Sequence, residues 1–331
     1  MLPQNGIGVE MINVGKGDAI LVELRDLSNK GLTLIIDGGC DEKDVEILPF
    51  LEQHHVNNTK VVISTHSDND HIGGLSEIIS AVKPVSVLIN DPRDYQVESV
   101  FINRARRELS ADDFNTLESA LDRITEVRTS ARTAGSQVSS AFASPKPIIT
   151  WGPWNVYVVG PTPQFYNEIW LNAGGLNDLY RSDDENIIET LVKTGKSILD
   201  DGIDTNGMNN TSIMILIEGP SEKILLTGDA GMRAIREAHN IRDLSNLSIL
   251  DVPHHGSRRN LDSALIELMR PIMAYISSPG TNKHPRNAIV KKLQQVGSVV
   301  YSTCKAGTTS IYHHRNIPRI NYRNISPWPM L

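Results

Sequence analysis

The chain has 331 residues, 40% of them hydrophobic and 21% charged, with a mean hydropathy of −0.22, so it can bury a sizeable core and is not a disordered tract. Its 32 Lys+Arg against 39 Asp+Glu give a formal net charge of −7, which excludes a whole-protein attraction to nucleic acid or anionic lipid and leaves a polyanion only a local basic patch. Two distant cysteines, Cys40 and Cys304, exclude a disulfide framework and a CxxC zinc site and suit a reducing compartment.

The opening MLPQNGIGVE lacks the basic-then-apolar order of a signal peptide, and no apolar run reaches the roughly 18–20 residues needed to span a bilayer, so a cytoplasmic chain without membrane association is expected. Short apolar runs at Gly8–Val14, Ala19–Leu24 and Leu32–Ile36, separated by glycine turns, predict a β meander. Helical spacing over Asp44–His55 (Val45, Ile47, Leu48, Leu51) and a buried strand at Lys60–Ser64 follow. A helix begun after His71 is expected to run through Ile78–Val82, before a strand at Val85–Ile89.

Residues 91–144 change texture. Val97–Arg128 is charged with helical periodicity and Thr129–Ser144 is rich in Ser, Ala, Gly and Thr, which predicts a surface helical insertion ending in a flexible connector. That insertion is the expected docking surface for a protein partner or a second copy. Strands resume at Ile148–Trp151 and Val156–Val159, and 162–207 reads as a polar loop insertion, acidic at Asp183, Asp184 and Glu185. A hairpin (Ser212–Glu218, Lys223–Thr227) then leads into alternation: helix Arg233–His239, strand Leu247–Val252, helix Ser263–Arg270, strand Met273–Ser277, helix Ala288–Gln294, and strands near Val299 and Thr309. The chain thus runs twice from strands into helix-strand alternation, which predicts one α/β domain over 1–331, two similar halves packed as a four-layer αβ/βα sandwich.

The strongest chemical signal is Ile63-Ser-Thr-His66-Ser-Asp68-Asn-Asp70-His71-Ile-Gly73-Gly74, two imidazoles and two carboxylates directly after a β-branched strand. Groups this close repel or stay unsatisfied without a cation, so metal coordination is favoured over a solvated acidic turn. Asp229 in Leu226-Thr-Gly228-Asp229 and the pair in Val252-Pro253-His254-His255-Gly256-Ser257 also stand at strand ends, where open α/β folds place ligands. Taken alone, Asp229 reads as a turn carboxylate; beside the first motif it gains a role bridging two cations. His284 follows the next strand on a loop, and the remaining five histidines read as surface residues.

These residues resemble the metallo-β-lactamase superfamily, whose HxHxDH signature is met as His66-x-Asp68-x-Asp70-His71. Val14-Gly-Lys16-Gly-Asp18-Ala19, Asp37-Gly38-Gly39, Thr227-Gly-Asp229-Ala230, Pro253-His-His-Gly-Ser257 and Val300–Thr303 before Gly307 are similar to the C-terminal domain of ComEC-type competence proteins. The resemblance implies that His66 and Asp68 hold one metal and Asp70, His71 and His255 the other, with Asp229 bridging. Asp37 is then a scaffolding carboxylate, and Asp18 with Gly15 and Gly17 shapes an early turn. Asp68 stands where the family has a second histidine, and no histidine lies between His71 and His239; Asn209-Asn210-Thr211-Ser212 occupies the position of the missing ligand. The first site is therefore oxygen-rich, so the two divalent ions are zinc or manganese.

Two cations sharing a carboxylate suit phosphodiester hydrolysis, with Asp70, His254 and His284 as the residues acting on the reaction and one of the two histidines as the acid for the leaving alkoxide. A nucleic acid substrate is expected, with Arg104-Ala-Arg106-Arg107, Arg258-Arg259, and Lys283 with Arg286 as phosphate contacts. The alternatives are a small-molecule phosphodiesterase of phosphorylcholine-esterase type, which needs an aromatic cage that Trp151 and Trp154 would have to supply, and a regulatory module with a residual metal site.

Overall fold

The computed structural model describes residues 5–40, 47–54, 56, 59–95, 98–171, 199–200, 202–280, 284–306, 310–319, 322 and 325–331. The expected meander is present as β1 (Gly6–Ile12), β2 (Ile20–Arg25) and β3 (Gly31–Ile36), paired antiparallel with Val9 opposite Val22 and Val22 opposite Leu34. Alternate residues of each strand, such as Val9, Val22 and Leu34, enter one buried cluster, while Leu21 and Ile35 enter another. A full burial contributes about 1.5–3 kcal/mol per side chain, and a one-residue slip would turn every one of them to the wrong face, so the alternation fixes the register.

The first half continues through α1 (Ile47–Gln53), β4 (Thr59–Ile63), α2 (Asn69–Ile72), α3 (Leu75–Val82), β5 (Ser86–Leu88), α4 (Glu98–Glu108), α5 (Ala111–Thr133) and β6 (Gln137–Ser139). The helix expected after His71 breaks at Gly73-Gly74 into α2 and α3. Gly74 packs so closely on the chain after β3 that a Cβ there would sit 2.2 Å from the Gly38 carbonyl oxygen.

Residues 91–144 differ from the expected appendage. β5 and β6 pair in parallel, Val87 opposite Val138, so the chain between them is their crossover connection. Its long helix α5 buries Leu117, Leu121, Ile124, Val127 and Ala131 along one face, and Thr129–Thr133, expected in a flexible connector, form its last turn.

The second half comprises β7 (Ile149–Trp151), β8 (Trp154–Gly160), α6 (Pro163–Leu171), α7 (Gly207–Asn210), β9 (Met214–Glu218), β10 (Lys223–Leu226), α8 (Met232–Ile241), β11 (Ile249–Asp251), α9 (Ser263–Met269), β12 (Met273–Ile276), α10 (Asn287–Gln295), β13 (Val299–Ser302), α11 (Thr303–Ala306) and β14 (Ser310–Arg315). Most of the stretch read as a polar loop insertion, 172–198 with Asp183, Asp184 and Glu185, lies outside the described residues, as do Val45, Lys283, Gly307 and Thr309.

Two seven-stranded sheets result, in the orders β14-β1-β2-β3-β4-β5-β6 and β13-β12-β11-β10-β9-β8-β7. Each runs from antiparallel pairs into three parallel ones, the strand logic repeated in both halves. Val22 and Leu34 of one sheet share a buried cluster with Val156 and Ile215 of the other, while Leu21 and Leu225 face a cluster that includes Ile79 of α3 and Ile235 of α8. The architecture is helix, sheet, sheet, helix. Among the described residues no helix is long and apolar enough to cross a membrane.

Candidate metal centre

Most residues of the centre sit just past the C-terminal end of a strand, the edge at which parallel α/β sheets expose their loops. Asp37 follows β3, His66 and Asp68 follow β4, Asp229 follows β10, and His254 and His255 follow β11. α2 carries Asp70 and His71. Where the sheet ends approach, Gly228 has φ +51 and a Cβ there would lie 2.9 Å from the Thr65 side chain, so glycine lets the end of β10 bring Asp229 against the loop after β4. Asp37, His254 and His255 hold φ of 58, 50 and 57, a left-handed backbone that costs on the order of 1–3 kcal/mol per non-glycine residue and clusters at functional sites.

The outer atoms of the imidazoles set their orientation. Asp37 accepts from the Thr65 amide at 2.7 Å and from the Thr65 hydroxyl at 2.6 Å, and its Oδ2 lies 2.8 Å from His71 Nδ1. Because the Thr65 proton goes to Asp37, the same hydroxyl, 3.0 Å from His66 Nδ1, must accept from that ring. His255 Nδ1 donates to the Ser277 carbonyl at 3.1 Å, and His254 Nδ1 lies 3.2 Å from Asn260 Oδ1. Asn260 is itself fixed, since its amide nitrogen donates to the Asp229 carbonyl at 2.7 Å. With Nδ1 as the donor in His66, His71 and His255, each of these rings turns Nε2 inward, and His254 also faces Asp229 through Nε2.

The inward atoms converge on two carboxylates. His71 Nε2 is 3.1 Å from Asp229 Oδ1, an approach without hydrogen-bond geometry, while His66 Nε2 and His254 Nε2 stand 3.8 and 3.7 Å from Asp229 Oδ2. His255 Nε2 is 3.4 Å from Asp70 Oδ2, and Asp68 Oδ2 is 3.7 Å from His66 Nε2. The Nε2 atoms of His66, His71 and His255 and Oδ1 of Asp229 are buried without a hydrogen-bond partner. Buried polar atoms normally find one. Their donor atoms group as His66, His71 and Asp229 and as Asp70, His71 and His255, each set spaced to hold a cation. The chemistry of imidazole and carboxylate donors fits divalent metal.

The charges point the same way. Burial alone would strip the proton from these imidazoles, yet the surrounding carboxylates reverse it. His66 is raised by Asp68 and Asp229, His71 is held well above its usual range by Asp229 and Asp37, and His255 is pushed up to about 10 by Asp18, Asp229 and Asp70. Burial raises the carboxyl of Asp229 and of Asp70, but the neighbouring imidazoles outweigh it and hold both below the ordinary carboxylate range. Without metal, the cluster gathers protons in place of cations.

The structure brings His66, Asp68, Asp70, His71, Asp229, His254 and His255 into one cluster, and it sets the His284 ring beside that of His254, tilted and 5.3 Å between centroids. Several expectations need correction. Arg258 and Arg259, read as phosphate contacts, are 5% and 4% exposed, so they belong to the interior. Arg104 pairs with Glu108 at 3.1 Å and Arg106 lies over the Phe114 ring, so that cluster is a helix face. Of the Asn209–Ser212 stretch, Asn209 reaches the imidazoles, with Nδ2 3.1 Å from His254 Nδ1, while Asn210 accepts from the Ala234 amide near the start of α8. Trp154 is buried between the sheets and Trp151 lies under Lys30, so the two form no choline cage.

Sequence reasoning gave Asp18 a turn. In the structure it also stands behind two imidazole rings of the cluster, 3.5 Å from His255 Nδ1 and 3.9 Å from His71 Nδ1. Its one signal was position, a carboxylate directly after a strained glycine turn. Asn260, Ser277 and Thr65 carried no signal, because a polar residue that holds a ring looks like any loop residue in one sequence.

Comparison with known proteins gives the family. Residues 12–277 match the family described as the metallo-beta-lactamase superfamily. Recombination protein 2 of Haemophilus influenzae is 23% identical over 329 residues, covering 97% of this chain and 31% of that protein. ComE operon protein 3 of Bacillus subtilis is 29% identical over 115 residues, 34% of this chain and 15% of that protein. The chain thus spans less than a third of the length of these relatives. Among solved structures, the metallo-beta-lactamase fold protein YhfI of Bacillus subtilis is 10% identical with a TM-score of 0.43, covering 92% of this chain and 99% of that one. Human tRNase Z, short form, is 10% identical with a TM-score of 0.39, covering 82% and 92%. With the family matched from β1 into the loop after β12, the chain belongs to the metallo-β-lactamase superfamily of hydrolases.

Proposed function

We propose that the chain is a metal-dependent phosphodiesterase that cleaves nucleic acid. The observation that carries the reading is the convergence of three buried, partnerless Nε2 atoms, of His66, His71 and His255, on the Asp229 and Asp70 carboxylates. His66, Asp68, Asp70, His71, Asp229 and His255 would hold two divalent ions, zinc or manganese, which supply Lewis acidity toward a phosphoryl oxygen and lower the pKa of water toward about 7.

The remaining work falls to the chain. Asp229 presents one oxygen to His71 and the other to His66 and His254, so it can serve both halves of the centre. Asp37, Thr65 and Ser277 fix the ring tautomers from behind. His254 faces the Asp229 carboxylate through Nε2 and is positioned to pass a proton to the leaving alkoxide, with the His284 ring beside it. A relative named for recombination supports a polymer substrate over a small ester, as does the loss of the tryptophan cage.

The test is incubation of the purified chain with linear and circular DNA, RNA and bis-p-nitrophenyl phosphate, with Mn²⁺ or Zn²⁺ and with EDTA. Metal-dependent polymer cleavage is expected. Turnover of the small ester alone would refute the nucleic acid substrate, and a metal-loaded but inert chain would refute the enzyme.

A further inference from the structure

The carboxylates of Asp18, Asp37, Asp68, Asp70 and Asp229 offset the charge of two divalent ions in the centre, in a chain already at −7, so an anionic substrate gains from a further cation beside it. The arginines beside the Pro253–Ser257 motif are buried and cannot touch a bound substrate. Among the described residues, one exposed ammonium stands beside a carboxylate of the centre. Lys16 Nζ lies 3.5 Å from Asp70 Oδ2, with 69% of its side chain exposed.

Its backbone is fixed although its side chain is not. Gly15 and Gly17 have φ of 74 and 104, and a Cβ on Gly17 would sit 1.8 Å from the Asp70 carbonyl oxygen, so the turn lies flat on the ligand loop. The Asp18 amide donates to that carbonyl at 3.1 Å, the Ser277 hydroxyl donates to the Gly17 carbonyl at 2.6 Å, and the Gly39 amide donates to the Asp18 carbonyl at 2.8 Å. Three hydrogen bonds thus anchor a turn whose apex residue projects a cation over a site carboxylate. An ion pair this exposed contributes little to stability, so folding does not require the charge. Lysine is a compact, mobile point charge, and its contact with Asp70 is cheap to exchange for an incoming oxyanion.

We propose that Lys16 is a substrate-binding residue whose ammonium contacts a non-bridging oxygen of a phosphodiester at the Asp70 side of the centre. This deepens the phosphodiesterase reading and rests on it for the substrate, but the contact can be tested through inorganic phosphate alone.

The experiment compares the Mn²⁺-loaded chain with Lys16→Gln, Lys16→Arg and, as a remote exposed control, Lys60→Gln. Calorimetry measures affinity for inorganic phosphate and for Mn²⁺, and bis-p-nitrophenyl phosphate gives KM and kcat. In Lys16→Gln, phosphate binding should weaken and KM should rise about tenfold, the equivalent of ~1.4 kcal/mol, while kcat and Mn²⁺ affinity stay unchanged. Lys16→Arg should keep most of the phosphate affinity, and Lys60→Gln all of it. Equal phosphate affinity in wild type and Lys16→Gln overturns the proposal. So does a fall in Mn²⁺ affinity in step with phosphate, which would make Lys16 a support for Asp70. Lys16-dependent phosphate binding without diester turnover would uphold the contact and refute the phosphodiesterase reading.

Discussion

His71 Nδ1 lies 2.8 Å from Asp37 Oδ2, and this contact decides which nitrogen of a fully buried imidazole faces the centre. The carboxylate serves three donors, since the Thr65 amide and hydroxyl also bind it. An amide in its place offers one acceptor oxygen instead of two. Asp37→Asn should therefore leave the fold intact and lower metal affinity by about 10–100-fold, the range for losing a partner that orients a ligand. Metal titration calorimetry checks this; an unchanged affinity would contradict it.

The metal-free centre carries a pH dependence of definite sign. His255 rises from 6.5 to about 10 in the folded chain, against burial and because of Asp18, Asp229 and Asp70. Between those values the folded state binds more protons than the unfolded one, so stability is full below pH 6.5 and is lost as pH rises toward 10. Asp229 acts oppositely: its folded value lies well below 3.8, so its contribution is present above 3.8 and disappears as pH falls through the lower value. The EDTA-treated chain should thus melt progressively lower from pH 6.5 to 10, and Mn²⁺ should flatten that decline while releasing protons on binding. Identical melting profiles with and without metal would contradict this.

His254 can be separated from the ligands by the choice of leaving group. p-Nitrophenolate departs without a proton, whereas the alkoxide of a polynucleotide needs one. His254→Ala should slow oligonucleotide cleavage by about 10²-fold or more, in line with the usual contribution of a general acid. It should slow bis-p-nitrophenyl phosphate hydrolysis far less, at unchanged metal content. Equal losses on both substrates would show that His254 does something else.

Gly17→Ala tests the turn that carries Lys16 and Asp18. The new Cβ would meet the Asp70 carbonyl at 1.8 Å on a backbone with φ 104. A destabilisation of about 2–3 kcal/mol is expected, from strain and overpacking together. A melting temperature equal to wild type in a chemical or thermal scan would mean that the turn does not rest on the ligand loop.

The sheets and the ligand motifs were legible because both are written locally. Alternation in Ile7, Val9 and Met11 fixes a strand face within a few residues, and His66, Asp68, Asp70 and His71 lie within six positions. What escaped depends on distant parts of the chain. α5 looked like a surface helix because charges flank Leu117, Leu121 and Ile124, and only the pairing of β5 with β6 makes it a buried crossover. Arg258 and Arg259 looked like a basic patch because a sequence shows charge but not burial. Asp18 reaches His255 across more than two hundred residues of chain, through a turn that Ser277 anchors from the other sheet. Asn209 differs from Asn210 only in the direction that α7 gives it.

The most direct test is elemental analysis of the folded chain, soaked in manganese or zinc and desalted, alongside its nuclease activity. Two divalent ions per chain are expected, with cleavage that EDTA abolishes and that Asp70→Asn and His71→Ala remove without unfolding the protein. A folded chain that binds no divalent ion, or that still cleaves as His71→Ala, would contradict the account.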